Sequence, residues 1–358
     1  MVGGIPKISC LGTYKTAPRL WTLSLAIPTD ITFPRLALLL IPSPTSISPI
    51  YSISIQLIHP NSSSKMTASL ISINKLAHTR VLILGGTSGI GFCVARAALE
   101  HGANIIIASS NSDKVASTIA RLQTLYPTPE YTERIAGQAC DLGDQDTVET
   151  NLLALLEYAT SPSLFPNTPT TEDTTVKESE KVLLNHIIYP SGTSPPRTPI
   201  TSPTITATSL TTSPHTTLRL IAPLLIGKHT KTYLHDTSTS SLTFTSGVLA
   251  ARPIAGLALG GAAMGTALEG LTRGLAVELA PIRVNVVAPG AVETEIFDRL
   301  GGGEEVKEMY LGAFRRGTLV GEVGRPEDVA EAYLWCMKDG FVTGQRVGSD
   351  GGALLKGV

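Results

Sequence analysis

Leu84-Gly85-Gly86-Thr87-Ser88-Gly89-Ile90-Gly91 is a glycine-spaced turn of the form GxxxGxG, and its chemistry is that of phosphate binding. Gly85 can take a backbone conformation closed to other residues. Gly89 removes a side chain where a pyrophosphate must approach, and Gly91 lets the following helix pack close to the preceding strand. Free N–H groups over Thr87, Ser88, Gly89 and Ile90, at the positive end of a helix dipole, stabilise the phosphates. Alone, the pattern also suits an ordinary flexible turn. Lying between a buried strand and an amphipathic helix, it predicts dinucleotide binding.

A second chemical position follows at Ala108-Ser109-Ser110-Asn111. NAD sites usually place a carboxylate here, to accept hydrogen bonds from the ribose hydroxyls. Ser109, Ser110 and Asn111 bring no charge to repel a 2′-phosphate, and Lys114 is close behind. NADP(H) is therefore the expected cofactor, although no arginine decides it.

The elements that must position these residues read as alternating strands and helices. Val81 to Leu84 is a short apolar run, the signature of a buried parallel strand. A helix follows, with Ile90, Val94, Ala97 and Ala98 on one face, ending near His101-Gly102. Asn104–Ala108 is a second buried strand. Further strands are expected over Ile135–Cys140, Val182–Tyr189, Ser241–Thr245 and Arg283–Ala288. The order implies an α/β fold: a Rossmann-like doubly wound parallel sheet flanked by helices. A long helix is expected from Leu257 to Ala280. Gly261, Ala262, Gly265, Thr266, Ala267 and Gly270 along it permit close helix approach, and its glycines cost about 1 kcal/mol each against alanine. Tertiary packing, or a partner chain, must offset that; a homodimer or homotetramer is the expectation.

The chain divides by texture. Residues 1–65 are rich in Pro, Ser, Ile and Leu, with one acidic residue, Asp30, and five basic ones. They read as a disordered or spurious extension ahead of a start at Met66; the competing reading, an organellar transit peptide, suffers from prolines that break an amphipathic helix. Residues 76–358 read as one NADP(H)-binding Rossmann domain with an insertion around 159–217. Ser, Thr and Pro dominate Thr193 to Thr217, which suits a mobile surface loop over the mouth of the cofactor site.

Composition excludes other classes. The 358 residues are 42 % hydrophobic with a net charge of −1, so nothing favours nucleic acid or an acidic membrane surface. No run of eighteen apolar residues suggests a membrane span. Cys10, Cys93, Cys140 and Cys336 are far apart, so neither a metal site nor a disulfide framework is indicated, and a cytoplasmic location is the default.

Taken together, these features resemble the short-chain dehydrogenase/reductase family over nearly all of residues 79 to 356. LGGTSGIG resembles the family's TGxxxGIG, with Leu84 where Thr is usual. Asp141-Leu142 resembles the pair that holds adenine, and Tyr189-Pro190-Ser191-Gly192 sits where NNAG is usual. Pro289-Gly290-Ala291-Val292-Glu293-Thr294 matches PGxVxT, whose threonine contacts the carboxamide. GRPEDVAEAYLW, VTGQ and DGG match the C-terminal end. The resemblance implies that Gly192, Pro289, Gly290, Val292 and Thr294 join the cofactor site and that Ser246 occupies the catalytic serine position.

The resemblance also exposes a gap. The family uses a Tyr, with a Lys four residues on, for proton transfer; here those positions are Gly261 and Gly265. Arg219 falls near the usual Asn. Losing general acid–base catalysis typically costs ~10²–10⁴ in rate, or about 3–5 kcal/mol of barrier. An already electrophilic substrate, such as an iminium, needs less help, and the missing side chains are expected to leave a cavity for a bulky one. Ser246 and Arg219 are the candidate catalytic groups. Tyr189 is expected to stack against nicotinamide or ribose, while Tyr233, His235 and Asp236 are expected in an exposed linker. The chain resembles fungal members with disrupted active sites, reductases that also guide a cycloaddition and carry an Asp for the Tyr. Three readings remain open: an NADP(H)-dependent reductase of a C=O or C=N group in secondary metabolism, a reductase that also guides a cyclisation, and a catalytically silent cofactor-binding scaffold.

Overall fold

The computed structural model describes residues 72–166, 181–192, 197–299 and 303–356. The extension 1–65 and the insertion segments 167–180 and 193–196 lie outside the described residues.

Among those described, seven strands form one parallel sheet: β1 (Arg80–Leu84), β2 (Asn104–Ser109), β3 (Ile135–Ala139), β4 (His186–Tyr189), β5 (Ser241–Thr245), β6 (Arg283–Pro289) and β7 (Arg346–Ser349). Their spatial order is β3-β2-β1-β4-β5-β6-β7. The order reverses between β1 and β4, and the crevice at the strands' carboxyl ends there is where ligands bind in open α/β sheets.

β1 and β2 read as near-continuous apolar runs because both faces are covered. Leu82 and Leu84 of β1, Ile106 of β2 and Ile187 of β4 pack on one face, against α3 (Val148–Ala159), α4 (Ala222–Tyr233) and α5 (Met264–Glu278). Their neighbours Val81, Ile83, Ile105, Ile107 and Ile188 pack on the other. That second face is covered by α1 (Gly89–Glu100), α2 (Ser112–Leu125) and α7 (Pro326–Lys338); α6 (Gly303–Arg316) precedes α7. Pro326 at the first turn of α7, with Glu327 and Asp328 there and Lys338 in the last turn, fits the helix dipole.

Four details differ from expectation. β4 starts at His186, because Leu184 forms only an isolated bridge to Leu234. β7 is a strand that periodicity does not reveal, being short and only partly buried. The long helix is regular only over α5; Ala258–Ala263 is a π-helical turn. The described part of the Ser/Thr/Pro-rich insertion is not featureless: Ala207–Thr211 is helical, closed by a Thr206/Ser209 capping box. A Cβ on Gly256 would meet Arg197 at 3.3 Å and one on Gly143 would meet Pro214 at 3.8 Å. The described insertion therefore starts near the loop after β5 and ends near the loop after β3, and none of residues 197–214 lines the cleft beside the glycine turn.

Candidate active site

The turn after β1 is built as its glycines require. Gly85 has φ +101°, a region that side chains disfavour. At Gly91 a Cβ would stand 2.0 Å from the Gly85 carbonyl oxygen, so only glycine lets α1 fold back against the turn. Ser88 caps α1 without a side-chain hydrogen bond, which leaves the first N–H groups directed to the turn.

A cleft of about 320 Å³ opens there. Gly85, Thr87, Ser88, Gly89, Ile90 and Gly91 form one wall, and Ser109 and Ser110 with Lys114 form the next. Asp141 and Leu142 follow from the end of β3, and Gly192 and Thr294 close the far side. Thr294 lies against the glycine turn, 2.9 Å from where a Gly89 Cβ would be. Cys140, Glu295 and Ile296 also line the cleft and escaped the sequence reading. A glycine turn at a helix N-terminus, with small polar groups at the end of β2, suits a dinucleotide's phosphates and adenosine ribose.

Four expected residues sit elsewhere. The Asn111 side chain accepts from the Lys114 N–H and caps α2. The Gly290 N–H donates to the Ser349 carbonyl, and Val292 bridges to Gly324. Pro289, the last residue of β6, pairs with Ser349. These three aim the segment that carries Thr294 rather than lining the cleft.

The catalytic candidates meet at the end of β5. Arg219 is on a π-helical turn, Thr217–Ile221, and its Nη1 donates to the Thr245 carbonyl at 2.9 Å. Its guanidinium lies over Gly192, where a Cβ would be 2.8 Å from Nη2. No carboxylate pairs with it among the described residues, and burial pulls its pKa below the usual arginine range. Next along, Ser246 Oγ donates toward the Gly265 carbonyl at 3.2 Å and Glu269 Oε1 at 3.0 Å. The same Oε1 accepts from Arg346 Nε at 2.9 Å. Glu269 and Arg346 were invisible as site residues, because a lone Glu in a helix and an Arg near the chain end read as surface charges.

Three expectations are overturned. Gly261 and Gly265 leave no open cavity at their Cβ positions: a Cβ would meet Leu249 at 2.8 Å in the first case and Ala250 at 2.9 Å in the second. Tyr189 does not face the cofactor; its ring is buried, its OH donates to the Leu218 carbonyl at 2.8 Å, and burial raises its pKa. Tyr233 ends α4 in the core rather than an exposed linker, with its OH donating to Glu157 at 2.7 Å. The Leu84 carbonyl accepts from Ser191 Oγ at 2.5 Å. Cys140 offers no thiolate: burial pushes its thiol up to about 12. No metal-binding cluster and no membrane-length helix occur among the described residues.

A family model described as an SDR-like Rossmann domain matches residues 72–161 and 181–356. The chain belongs to the short-chain dehydrogenase/reductase family, whose members use nicotinamide cofactors. It is 36 % identical to the short-chain dehydrogenase/reductase ATR9 of Stachybotrys chlorohalonatus over 276 residues, 77 % of this chain and 97 % of that one. It is 37 % identical to malC of Malbranchea aurantiaca over 276 residues, 77 % of this chain and 94 % of that one. The solved structure titled MalC reductase/Diels-Alderase superposes with a TM-score of 0.68 at 36 % identity, covering 80 % of this chain and all of that one.

Proposed function

We propose that this protein is an NADP(H)-dependent oxidoreductase with a non-standard active site, reducing a C=O or C=N group in fungal-type secondary metabolism. The observation that carries this is the cleft, with Ser109, Ser110 and Lys114 where a carboxylate would select NAD, and with an Arg219 that has no carboxylate partner among the described residues lying over its Gly192 wall. Reduced nicotinamide, when bound, supplies the hydride. Lys114 would hold a 2′-phosphate, the N–H groups of the glycine turn the pyrophosphate, and Thr294 the carboxamide. Arg219 polarises the substrate's oxygen or nitrogen or holds an anionic group beside it. Ser246 orients the reacting group. Positioning supplies a large part of the rate.

The likeness to a protein titled reductase/Diels-Alderase favours a second reading, in which the same site also guides a cyclisation. The glycines at 261 and 265 favour a third, a silent cofactor-binding scaffold. We read residues 76–358 as the functional domain, cytoplasmic, with a Ser/Thr/Pro-rich insertion around 159–217. Ala267, Gly270, Gly274 and Val277 leave an exposed stripe on α5, which we read as the pairing face of a homodimer or homotetramer; light scattering reads that state.

Titration of the full chain with NADPH and NADH, followed by nicotinamide fluorescence, tests the proposal. Tight binding that prefers NADPH is expected, followed by turnover of imines or bulky carbonyls. A folded protein that binds neither cofactor removes the reductase reading and leaves the scaffold.

A further inference from the structure

The Ser246 hydroxyl has one proton, and both of its acceptors are inside the protein: the Gly265 carbonyl and Glu269 Oε1. Its lone pairs are left for whatever else approaches. Behind it, the Glu269–Arg346 pair is mostly out of solvent, with side chains 13 % and 24 % exposed. Glycine at 265 makes this possible. A Cβ there would be 3.1 Å from Ser246 Oγ, so a longer side chain would crowd the hydroxyl that Glu269 reaches. A carboxylate therefore stands one hydrogen bond behind a site hydroxyl, where the two glycines supply no proton-transfer group.

We propose that Glu269 is a positioning residue that moves protons through Ser246, in place of side chains at 261 and 265. This rests on the oxidoreductase reading above. In the oxidative direction a substrate O–H or N–H gives its proton to Ser246 Oγ, as the Ser246 proton passes to the Glu269 carboxylate. The substrate carbon loses its hydride to oxidised nicotinamide. In the reductive direction the path reverses. The Glu269 carboxyl proton moves to Ser246 Oγ, and the Ser246 proton moves to the oxygen or nitrogen left negative by hydride addition. Water then reprotonates Glu269. Arg346 stabilises the carboxylate left behind.

The other charged groups on elements packed against α5 are engaged elsewhere. Arg219 donates to the Thr245 carbonyl, and Arg283 of β6 to the carbonyls of Ser238, Cys336, Met337 and Val342. On α4, Lys228 and His229 pair with Glu149, and Lys231 reaches the Ala280 carbonyl. Arg273, one turn along α5, is exposed. Arg346 is the cation on Glu269.

The test uses the full chain with NADPH, taking phenanthrenequinone and pyrroline as probe substrates and following nicotinamide absorbance across pH. In the wild type, reduction should slow as pH rises, because the path consumes a proton. Glu269→Gln should keep cofactor affinity, lose ~10²-fold in kcat and flatten that limb; Glu269→Asp should restore the limb at reduced kcat. A Glu269→Gln protein with wild-type kcat and pH profile overturns the proposal. Should Glu269→Gln fail to fold, Arg346→Gln decides: kcat should fall and the pH profile change while cofactor affinity is kept, and an unchanged kcat and profile overturn the proposal. Wild type that binds NADPH yet turns over neither probe removes the oxidoreductase reading and this inference together. Turnover with an unchanged Glu269→Gln profile removes only the inference.

Discussion

At the residue scale, selectivity and chemistry rest on single side chains. Ser109 ends β2 in the cleft wall, where a carboxylate would face a 2′-phosphate. Ser109→Asp should therefore weaken NADPH binding at least about tenfold, or about 1.4 kcal/mol, and leave NADH binding equal or tighter; competitive titration of the two cofactors measures it. The glycines at 261 and 265 invite a different change. Because a Cβ at 261 runs into Leu249, Gly261→Tyr with Gly265→Lys should overpack the site by about 1–3 kcal/mol and gain little ketone reduction. Adding Leu249→Ala should recover the lost melting temperature and let ketone turnover appear. A stable, active double variant would mean that Leu249 does not fill the tyrosine's place. Most of the cofactor wall is legible in the chain because it comes from contiguous stretches: a turn, a strand end, an Asp-Leu pair. Glu269 is not, because its role comes from Ser246 and Arg346, each far away along the chain.

At the element scale, two π-helical turns frame the site, Thr217–Ile221 under Arg219 and Ala258–Ala263 ahead of α5. Such turns recur at functional sites because they redirect side chains within a helix. Here they are tied together: His215, at the end of the insertion, donates from Nε2 to the Gly260 carbonyl at 3.0 Å. Burial holds its pKa below the usual histidine range, so it makes this bond as the neutral imidazole. His215→Ala should cost about 0.5–1.5 kcal/mol for the lost hydrogen bond, and lower turnover more than cofactor affinity, since Gly260 precedes the helix that faces Ser246 rather than the glycine turn. Calorimetry and steady-state kinetics on one preparation check both halves; an unchanged melting temperature would show that the bond carries no load. Neither turn is readable from periodicity: ALGGAA is too glycine-rich to carry apolar spacing, and TLRLI is too short to separate helix types. Buried parallel strands are the opposite case. β1 and β2 announce themselves as apolar runs, whereas β7, with Arg346 and Gly348 in four residues, does not.

At the scale of the whole molecule, the sheet centre stores a pH dependence. His186 of β4 lies between Val81 of β1 and Ser241 of β5 in register, fully inside the sheet, with Nδ1 2.8 Å from Ser241 Oγ. Burial, helped by nearby Arg283, pushes its pKa down to about 3. The unfolded chain releases this histidine to water, where it takes a proton near pH 6.5. Below that value the unfolded state binds the extra proton and the folded state does not, so stability falls with pH from about 6.5 down to about 3. The slope approaches about 1.4 kcal/mol per pH unit for this group, steep against a typical total of about 5–15 kcal/mol. Buried His215, shifted in the same direction, adds to it. Urea unfolding at a series of pH values should show the midpoint dropping as soon as pH passes below the unfolded histidine's value, well before carboxylates titrate. His186→Asn, whose Oδ1 can replace Nδ1 toward Ser241, should lose some packing at neutral pH yet shed much of that slope. Parallel curves for the two proteins would place the acid sensitivity outside the sheet centre.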